Sequence, residues 1–413
     1  MTQQEVTKSQ PVSKRMVWES YQKVKRNGGS AGVDKQSISM FETELSKHLY
    51  KVWNRMSSGS YYPPPVRTVL IPKSNGGTRA LGIPTVSDRV AQMVVKDYLE
   101  PEIDKLFSNQ SYGYRPGKSA HDAVARAESN CNMCGWVIDL DIKGFFDNLN
   151  HAKMMELLQL HTNEKWVLLY VERWLKAGVE LEGAVTAREK GTPQGGVISP
   201  LLANIYLHHA FDTWMEQTYD GNPFERYADD IIVHCYNREE AERLLEAIRK
   251  RLEEYSLILH PEKTKIVHCK TSRRSREEGV GVTFTFLGFD FKPRSIKSKG
   301  GRVYVWYQAA ISQSAQKRIT AVIRGSHLVR WMEASMESMA AEWNPRLRGW
   351  IGYYGKFRKW EMYKVFDMFN VRLARWIGNK YRLTGKLACM KRLKAISRQN
   401  ADLFAHWSFG MRP

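Results

Sequence analysis

Hydrophobic positions along this chain switch repeatedly between helical and strand spacing. Residues 1–60 have helical spacing on both sides of the glycine-rich stretch RNGGSAGVDK. Within residues 61–84 the apolar runs TVLIP and ALGIP flank KSNGG, which predicts a β-hairpin because glycine supplies the positive φ angles of the turn. Residues 85–133 and 151–177 are predicted to be mostly helical.

Two predicted strands carry acidic residues where they meet loops. GWVIDLDIKGFF (135–146) alternates, so its period of two puts Asp139 and Asp141 on one face. FERYADDIIVHCY is predicted to form a second hairpin, with the adjacent Asp229 and Asp230 near its turn. Aspartate is common in turns, so a polar turn explains the pair on its own. Adjacent carboxylates beside an apolar core also raise each other's pKa unless a cation lies nearby, and this second interpretation predicts a bound cation.

The rest of the pattern completes an α+β fold. KGTPQGGVISPLLANIYLHHAFDTWM (190–215) opens with a glycine-rich loop and then begins a helix, with Ser199 as the predicted N-cap and Pro200 as its first residue. Residues 238–257 are predicted to form an amphipathic helix with many oppositely charged neighbours. TFTFLGFDFKP and GRVYVWYQ predict strands, and the pattern is helical from about residue 312 onward.

Composition and charge divide the chain unevenly. A chain of 413 residues with 43% hydrophobic residues predicts two or three globular domains. The net charge is +20, yet residues 292–413 hold 25 of the 63 Lys and Arg residues and only 6 of the 43 Asp and Glu residues. Tryptophan and tyrosine interleave with these cations, which favours a nucleic-acid surface over a merely solubilising one. We therefore predict a boundary near residues 292–311.

Other features predict a cytoplasmic protein with no membrane partner. No apolar run approaches the roughly 20 residues of a membrane-spanning helix, and the polar N-terminus lacks the apolar core of a secretory signal. The five cysteines are an odd number that suits a reducing compartment. Cys131 and Cys134 form one C-x-x-C pair without a second pair, so we interpret the cysteines as incidental rather than as zinc ligands.

The acidic strand ends predict a metal centre if they are neighbours in a sheet. Asp141, Asp229 and Asp230 would then converge, and hard oxygen ligands of this kind suit Mg²⁺. Two such ions about 3.5–4 Å apart activate an attacking hydroxyl and stabilise a leaving pyrophosphate. The geometry itself is a hypothesis at this point.

Ordered motifs make the chain resemble a known family. Five segments follow the order found in reverse transcriptases: DIKGFFDNLNH (141–151), GTPQGGVISPLLANIYL (191–207), RYADDIIV (226–233), HPEKTK (260–265) and FLGF (286–289). Three more resemble reverse transcriptases encoded by group II introns: GVD (32–34), IPKSNGGTRALGIPTVSDRV (71–90) and SYGYRPGKSAHDAV (111–124). NPRLRGWIGYYGKF (344–357) resembles their maturase segment, domain X, and the resemblance covers about residues 25–410.

The resemblance implies a right-hand polymerase. Fingers and a palm with an antiparallel sheet would occupy residues 1–291, with an N-terminal extension of about residues 1–60. A basic helical thumb and maturase domain would occupy residues 292–413. The implied partners are group II intron RNA, an RNA template with a DNA primer, deoxynucleoside triphosphates and a DNA target. The implied location is the bacterial cytoplasm, associated with the nucleoid or a ribonucleoprotein.

By the same resemblance, the acidic residues are catalytic. Asp141 and Asp229 are implied to hold two Mg²⁺ ions with help from the backbone carbonyl of Ile142, and Asp230 to complete the cluster. Phe146 matches the bulky position that would clash with a 2′-hydroxyl and so select deoxynucleotides. The alternatives are that Phe146 is an ordinary core residue, or that Phe145 takes its role.

Further positions are implied to contact nucleotide or nucleic acid. Lys73 and Arg79 flank the SNGG turn and would meet the incoming triphosphate. Lys263 or Lys265 would supply a cation near the leaving pyrophosphate. Arg115 is implied to contact the template, with a structural arginine in a buried turn as an equal alternative.

The glycine-rich loop and the basic region complete the implied contacts. Gln194 lies where the family contacts the nascent base pair, and Gly195, with Gly196 beside it, would allow close backbone approach. Arg346 and Arg348 are candidates for RNA phosphates. The stripe formed by Trp350, Tyr353 and Tyr354 has helical spacing, which is more typical of a core than of an RNA contact.

One departure from the family and two competing functions remain open. Many relatives continue into a DNA-binding segment and an endonuclease rich in Cys and His, whereas this sequence stops at Pro413, so we expect it to lack DNA nicking of its own. A non-catalytic RNA-binding splicing factor is one alternative to a polymerase. A free-standing defence-type reverse transcriptase is the other.

Overall fold

The computed structural model describes residues 10–72, 77–272, 280–298 and 300–413. The chain forms two compact units that interleave along the sequence. Unit 1 comprises Met1–Ser119, Leu140–Val233 and Glu242–Lys265, and unit 2 comprises Ala120–Asp139, His234–Ala241 and Ile266–Pro413. This division follows compactness rather than function, so the functional boundary near residue 291 stays a prediction.

Most helices and strands occur in the regions that the sequence pattern predicts, whereas the short strands at residues 179–181, 184–186 and 265–268 lie outside those regions. In chain order, the helices are α1 Lys14–Asn27, α2 Ile38–Thr43, α3 Leu45–Ser57, α4 Val86–Ile103, α5 Ala120–Cys134, α6 Phe145–Asn148, α7 His151–Gln159, α8 Lys165–Lys176, α9 Ser199–Leu207, α10 Thr213–Thr218, α11 Arg238–Glu254, α12 Gln313–Gly325, α13 Met336–Tyr354, α14 Tyr363–Tyr381, α15 Lys386–Gln399 and α16 Ala405–Ser408. The strands are β1 Val66–Pro72, β2 Thr78–Ile83, β3 Trp136–Asp141, β4 Val179–Leu181, β5 Ala184–Thr186, β6 Phe224–Tyr227, β7 Asp230–Cys235, β8 Lys265–His268, β9 Phe284–Phe286, β10 Phe289–Lys297 and β11 Val303–Ile311.

Three sheets organise these strands in the described part of the chain, and one of them brings the acidic strands together. Its order is β6-β7-β3-β8, so β7 and β3 are hydrogen-bonded neighbours. The other two have the orders β2-β1-β4-β5 and β11-β10-β9. The predicted hairpin of β1 and β2 is confirmed by an antiparallel register that runs from Arg67 opposite Ile83 to Pro72 opposite Thr78. The predicted hairpin of β6 and β7 is confirmed as well, with Tyr227 opposite Asp230.

The C-terminal helices of unit 2 pack around an aromatic core. Trp343, Trp376 and Trp407 are fully buried there together with Phe366 and Phe369. These tryptophans of the basic region are therefore core residues rather than a surface for nucleic acid. Full burial of such large rings stabilises this part of the fold, and it leaves the charged residues of the same helices to form the surface.

Two local features differ from the sequence-based expectation. Ile198 rather than Ser199 precedes the first turn of α9, because the Ser199 hydroxyl lies 2.9 Å from the Thr192 hydroxyl instead of capping the helix. Residues His208–Asp212 form a π-helical turn between α9 and α10 that no sequence pattern predicted. Among the described residues, every helix is too short or too polar to span a bilayer.

Candidate active site

The acidic turn between β6 and β7 carries Asp229 at its tip. The turn closes within two residues, and Ala228 takes a φ of 57°, a left-handed conformation that costs a non-glycine residue roughly 1–2 kcal/mol. A Cβ atom added to Gly113 would collide with the Ala228 backbone nitrogen, so close approach of the neighbouring loop requires glycine there. Strained backbone of this kind persists where surrounding structure over-determines it, as it does at active sites.

A fully buried ion pair fixes the base of this turn. Arg226 donates through Nε to Asp212 at 2.7 Å and through Nη2 to the second oxygen of the same carboxylate at 2.5 Å. Its Nη1 donates to Asn204 Oδ1 at 2.9 Å and to the Ala228 carbonyl oxygen at 3.3 Å. Because the guanidinium bonds directly to the turn backbone, the Arg226 network holds the segment that carries Asp229.

Asp141 is held at the end of β3 by the segment that precedes β8. The His260 amide donates to the Asp141 carbonyl oxygen at 2.7 Å, and the Asp141 amide donates to Thr264 Oγ1 at 3.3 Å. Next to it, Ile142 bridges to Leu259. These bonds involve backbone atoms of Asp141, so none of them occupies its carboxylate oxygens.

The Asp141 carboxylate has a lysine as its partner. Lys263 Nζ lies 3.2 Å from Asp141 Oδ2 and 3.4 Å from Oδ1. The lysine side chain is 54% exposed and the aspartate side chain 38% exposed, so water screens the pair and it adds little to stability. The consequence is electrostatic, because an exposed lysine cation lies beside a predicted metal ligand.

Electrostatics link the two predicted ligands. The pKa of Asp229 is raised mainly by burial and further by the negative charge of Asp141, while the charges of Arg79 and Arg226 oppose that rise. Asp141 and Asp229 are therefore within electrostatic range of each other. Two carboxylates in this relation favour binding of a cation between them.

Unit 1 also contains a cavity, which Arg79 links to the acidic pair, because the Arg79 charge acts on Asp229 and its Nε donates to Gln194 of the cavity lining. The cavity has a volume of about 630 Å³, within the range of ligand pockets, and Phe146, Gln194, Ala80 and Gly82 line it. Phe146 is 8% exposed. Gln194 Oε1 accepts a hydrogen bond from Arg79 Nε, and the Gln194 carbonyl oxygen accepts from the Gly82 amide at 2.7 Å. The loop that carries Gln194 is therefore bonded to the β1–β2 hairpin.

The donor set fits a magnesium ion whose coordination shell a substrate completes. Asp141 and Asp229 offer hard carboxylate oxygens, and Mg²⁺ is commonly bound by one or two carboxylates together with substrate phosphates. Among the described residues, no group of three or more His, Cys, Asp or Glu side chains could hold a metal ion by itself. This site therefore offers an open pair of carboxylates rather than a preformed metal cage.

Comparison with known proteins decides the family. Residues 71–291 match the family model described as reverse transcriptase (RNA-dependent DNA polymerase), which is more than half of the chain. The chain belongs to the reverse transcriptase family. Residues 316–394 match the model described as group II intron, maturase-specific domain, so this reverse transcriptase is of the group II intron class.

Two relatives agree with this membership. The reverse transcriptase is 32% identical over 294 residues to protein YkfC of Escherichia coli strain K12, a match covering 62% of this chain and 74% of that protein. It is 36% identical over 192 residues to the group II intron-encoded protein LtrA of Lactococcus lactis, covering 46% of this chain and 32% of LtrA. A structure of apo telomerase from Candida tropicalis aligns over 55% of this chain and 53% of its own, at 17% identity and a TM-score of 0.43.

The predicted palm residues of the reverse transcriptase fall into two groups in unit 1. Asp141 and Asp229 form the carboxylate pair, and Phe146 and Gln194 line the cavity. Asp230 is the first residue of β7, opposite Tyr227. The catalytic role of Asp230 and the metal contact of the Ile142 carbonyl stay predictions.

The predicted nucleotide-binding residues differ in how much the structure says about them. Arg79 reaches Gln194, and Lys263 reaches Asp141, whereas Lys73 lies outside the described residues. Lys265 is the exposed first residue of β8. Gly195 has a φ of 119°, and a Cβ atom there would collide with the Gly82 carbonyl oxygen, which explains the need for glycine.

Arg115 has the contacts of a structural arginine. Its Nε donates to Asp104 Oδ1 at 2.7 Å, and the remaining nitrogens donate to the carbonyl oxygens of Ser108, Ser111 and Asp104 at 2.5–2.9 Å. Only 6% of its side chain is exposed. These bonds favour the buried-turn alternative over a template contact by Arg115.

The candidates in the basic region separate into surface and core. Arg346 and Arg348 are exposed on α13, and Arg346 also lies over the ring of Trp343 at 5.3 Å. Tyr353 donates its hydroxyl to the Leu287 carbonyl oxygen at 2.9 Å, and Tyr354 contacts the ring of Phe289. The tyrosines therefore pack within unit 2, as their helical spacing suggested, and the arginines face solvent.

Sequence reasoning missed the buried polar residues that support the site. Arg226, Asp212 and Asn204 were overlooked, as were Asp88 and Gln92 on α4. Asn204 had a visible signal, because it lies in the apolar stretch SPLLANIYL, where an amide side chain must find a partner. The roles of Asp88 and Gln92 depend on contacts with distant segments, so no local pattern could have found them.

Proposed function

We propose that this reverse transcriptase copies group II intron RNA into DNA and also binds that RNA to assist splicing and mobility. Its substrates are an RNA template with a DNA primer and deoxynucleoside triphosphates, and a DNA target receives the copy. The observation that carries this proposal is the pair of carboxylates, Asp141 and Asp229, which Arg79 links to a cavity lined by Phe146 and Gln194.

Each residue of the site has a task in the proposed reaction. Asp141 and Asp229, with the Ile142 carbonyl and Asp230 beside them, would hold two Mg²⁺ ions. When bound, these ions lower the pKa of the primer 3′-hydroxyl and neutralise the phosphate charge that develops during transfer. Arg79 binds the triphosphate through its guanidinium, which suits phosphate oxygens.

Selection and product release depend on the chain's own side chains. The Phe146 ring excludes a 2′-hydroxyl from the cavity by its volume, and Gln194 contacts the nascent base pair. Lys263 leaves the Asp141 carboxylate when substrate arrives and then holds a proton at Nζ near the leaving pyrophosphate. The exposure of Lys263 supports this exchange, because an ion pair between exposed side chains such as Lys263 and Asp141 contributes little stabilising free energy.

RNA binding by the basic region supports the second part of the proposal. Arg346 and Arg348 are exposed on α13, inside the segment that matches the maturase-specific model. Phosphate contacts of this type provide affinity without sequence information. Such charge also supports association with the nucleoid and with ribonucleoprotein in a bacterial cytoplasm.

Primer extension on an RNA template tests the catalytic part. Wild-type protein with Mg²⁺ and deoxynucleotides should extend the primer, while Asp141→Asn should abolish extension and still bind intron RNA. Asp139→Asn is the matched control, since this residue lies two positions earlier on β3, and it should retain extension. RNA binding and splicing assistance without any DNA synthesis by the wild type would favour the non-catalytic splicing factor instead.

A further inference from the structure

A chain of buried hydrogen bonds runs from α4 to the glycine-rich loop. Asp88 and Gln92 lie one helical turn apart on α4 and are 1% and 2% exposed. Gln92 Nε2 donates to Asp88 Oδ2 at 2.9 Å. Gln92 Oε1 accepts from the amide of Val197 at 2.8 Å and from the amide of Ile198 at 3.3 Å. The side-chain amide thus spans from a buried carboxylate to the end of the loop that carries Gln194.

Asp88, at the end of this hydrogen-bond network away from the loop, sets which groups donate and which accept. Asp88 Oδ1 accepts from the Tyr61 hydroxyl at 2.9 Å and from Trp174 Nε1 at 2.8 Å. Gln92 is the third side chain that donates to Asp88, so the carboxylate acts as an acceptor towards all three neighbours. Gln92 is therefore forced to present its carbonyl oxygen, and not its NH₂ group, to the loop amides.

The opposite end of the loop is bonded to the β1–β2 hairpin. The Gly82 amide donates to the Gln194 carbonyl oxygen at 2.7 Å, and the Gln194 side chain accepts from Arg79. Space around the loop is tight, since a Cβ atom on Gly196 would lie 2.5 Å from Ser199 Oγ and 3.3 Å from Gln92 Oε1. Because the loop has no room to adjust, a small change at Gln92 is expected to displace the loop residues that line the cavity.

We propose that Asp88 and Gln92 are positioning residues that hold the loop Gly191–Ile198, and with it Gln194, in the conformation that receives the incoming deoxynucleotide. The inference rests on the proposed function, because Gln194 is taken to contact the nascent base pair. Neither residue lines the cavity itself, so both act through the loop. Burial raises the pKa of Asp88 to about 6, which agrees with a carboxylate held by neutral donors alone.

Exchanging donor and acceptor groups between residues 88 and 92 tests the proposal. In Asp88→Asn the new NH₂ group faces the NH₂ group of Gln92, so the Gln92 amide must rotate and oppose the Val197 and Ile198 amides with its own donors. We expect the KM for deoxynucleotides to rise about tenfold, because a buried group is left without its partner. Adding Gln92→Glu should restore it to within about threefold, since a carboxylate accepts from the introduced asparagine amide and from both loop amides.

Matched controls separate positioning from stability. Tyr61→Phe removes a bond to Asp88 and leaves Gln92 untouched, so the melting temperature should fall while the KM for deoxynucleotides stays unchanged. Gln92→Met keeps the volume but removes the acceptor, and it should raise the KM as Asp88→Asn does. If Asp88→Asn does not fold, Gln92→Met provides the test instead. Failure of both variants to fold would overturn the proposal in favour of a purely structural role.

The outcomes distinguish this proposal from the proposed function. Absence of RNA-templated synthesis by the wild type would defeat the proposed function itself. Synthesis by the wild type, with a KM that Asp88→Asn and Gln92→Met leave unchanged, would overturn only the positioning role. A double variant that regains the wild-type melting temperature but not the KM would overturn it as well.

Discussion

At the scale of single residues, Phe146 and Phe145 are neighbours with different surroundings. Phe146 lines the cavity that Gln194 also lines, whereas Phe145 is 1% exposed and contacts the ring of Tyr206. The structure thus favours Phe146 over Phe145 for contact with a nucleotide sugar. It does so because only one of the two adjacent rings reaches the open space.

Replacing Phe146 should therefore relax the choice of sugar. We expect Phe146→Ala to lower the ratio of kcat/KM for deoxynucleotides over ribonucleotides by about tenfold to a hundredfold, the range for a change in pocket volume. Single-nucleotide incorporation with paired dNTP and rNTP substrates measures this ratio. Phe145→Leu is the control, which should reduce thermal stability and keep the ratio. An unchanged ratio in Phe146→Ala would make that ring an ordinary core residue.

Asp88 should give the protein a stability that depends on pH. Burial raises its pKa from 3.8 to about 6, so the folded state binds this proton more tightly than the unfolded state does. The stabilisation is fully present below the unfolded pKa and is lost as pH rises through about 6. Tyr61, the titratable group facing Asp88, has its pKa raised well above its ordinary value by burial and does not titrate in this window.

Urea unfolding of the wild type and of Asp88→Asn between pH 4.5 and 7.5 measures this effect. The unfolding free energy of the wild type minus that of the variant should fall with rising pH, by an amount approaching about 3 kcal/mol over the full titration. A difference that is flat with pH would show that Asp88 is not a buried carboxyl with a raised pKa. A difference that grows with pH would reverse the sign of the argument.

At the scale of elements, a buried ion pair joins the π-helical turn to the acidic hairpin. The turn His208–Asp212 carries Asp212, whose carboxylate binds both Nε and Nη2 of Arg226 at the base of the hairpin. Both side chains have no exposed surface. Wide turns of this type are frequent at functional sites, and here the turn supplies the anion that fixes the strand before Asp229.

Breaking this pair from one side should be costly. Arg226→Met should lower the free energy of unfolding by about 3–5 kcal/mol, because Asp212 is left buried and unpaired. The double variant Arg226→Met with Asp212→Leu should recover most of that loss, since no buried charge then remains. Urea unfolding of the two variants decides the matter, and a single variant that loses less than about 1 kcal/mol would contradict the assigned network.

The elements that the sequence predicted are those whose periodicity is local. The β1–β2 and β6–β7 hairpins and the C-terminal helices follow from alternation and helical spacing. The β4–β5 hairpin was missed because each strand has only three residues, too few for a period of two to be visible. The π-helical turn was missed because no periodic pattern of hydrophobic positions marks a single wide turn.

The site was predictable in part for the same reason. Acidic residues at strand ends stand out in the sequence, so Asp141 and Asp229 are predictable without knowledge of the sheet. Asp88 and Gln92 lie inside a buried helix whose pattern is simply helical, and their importance depends on a loop more than 100 positions later. Contacts at that separation are not visible in any local window.

At the scale of the whole molecule, the sign of the charge governs RNA binding. Residues 292–413 hold 25 Lys and Arg residues against 6 Asp and Glu residues. Each phosphate contact releases a counterion, so the logarithm of the binding constant should fall linearly with the logarithm of salt concentration. The steepness of that line reports how many phosphates the protein binds.

Removing two cations from α13 should change this slope. We expect Arg346→Ala with Arg348→Ala to weaken intron RNA binding and to reduce the slope by about 1–2, as expected if each arginine neutralises one phosphate. Arg243→Ala with Arg249→Ala removes two exposed arginines from α11 and is the control that should keep the slope. Filter binding between 50 and 300 mM KCl measures it, and identical slopes for both double variants would reject the phosphate role of α13.

The proposed catalysis depends most on Asp141 and Asp229 jointly holding divalent cations. The direct measurement is Mn²⁺ binding, followed by electron paramagnetic resonance, to protein carrying a dideoxy-terminated primer on an RNA template and a matching deoxynucleotide. The wild type and Asp139→Asn should bind two ions with equal affinity, while Asp141→Asn and Asp229→Asn should each weaken binding by at least about tenfold. Equal Mn²⁺ binding by all four proteins would contradict that role.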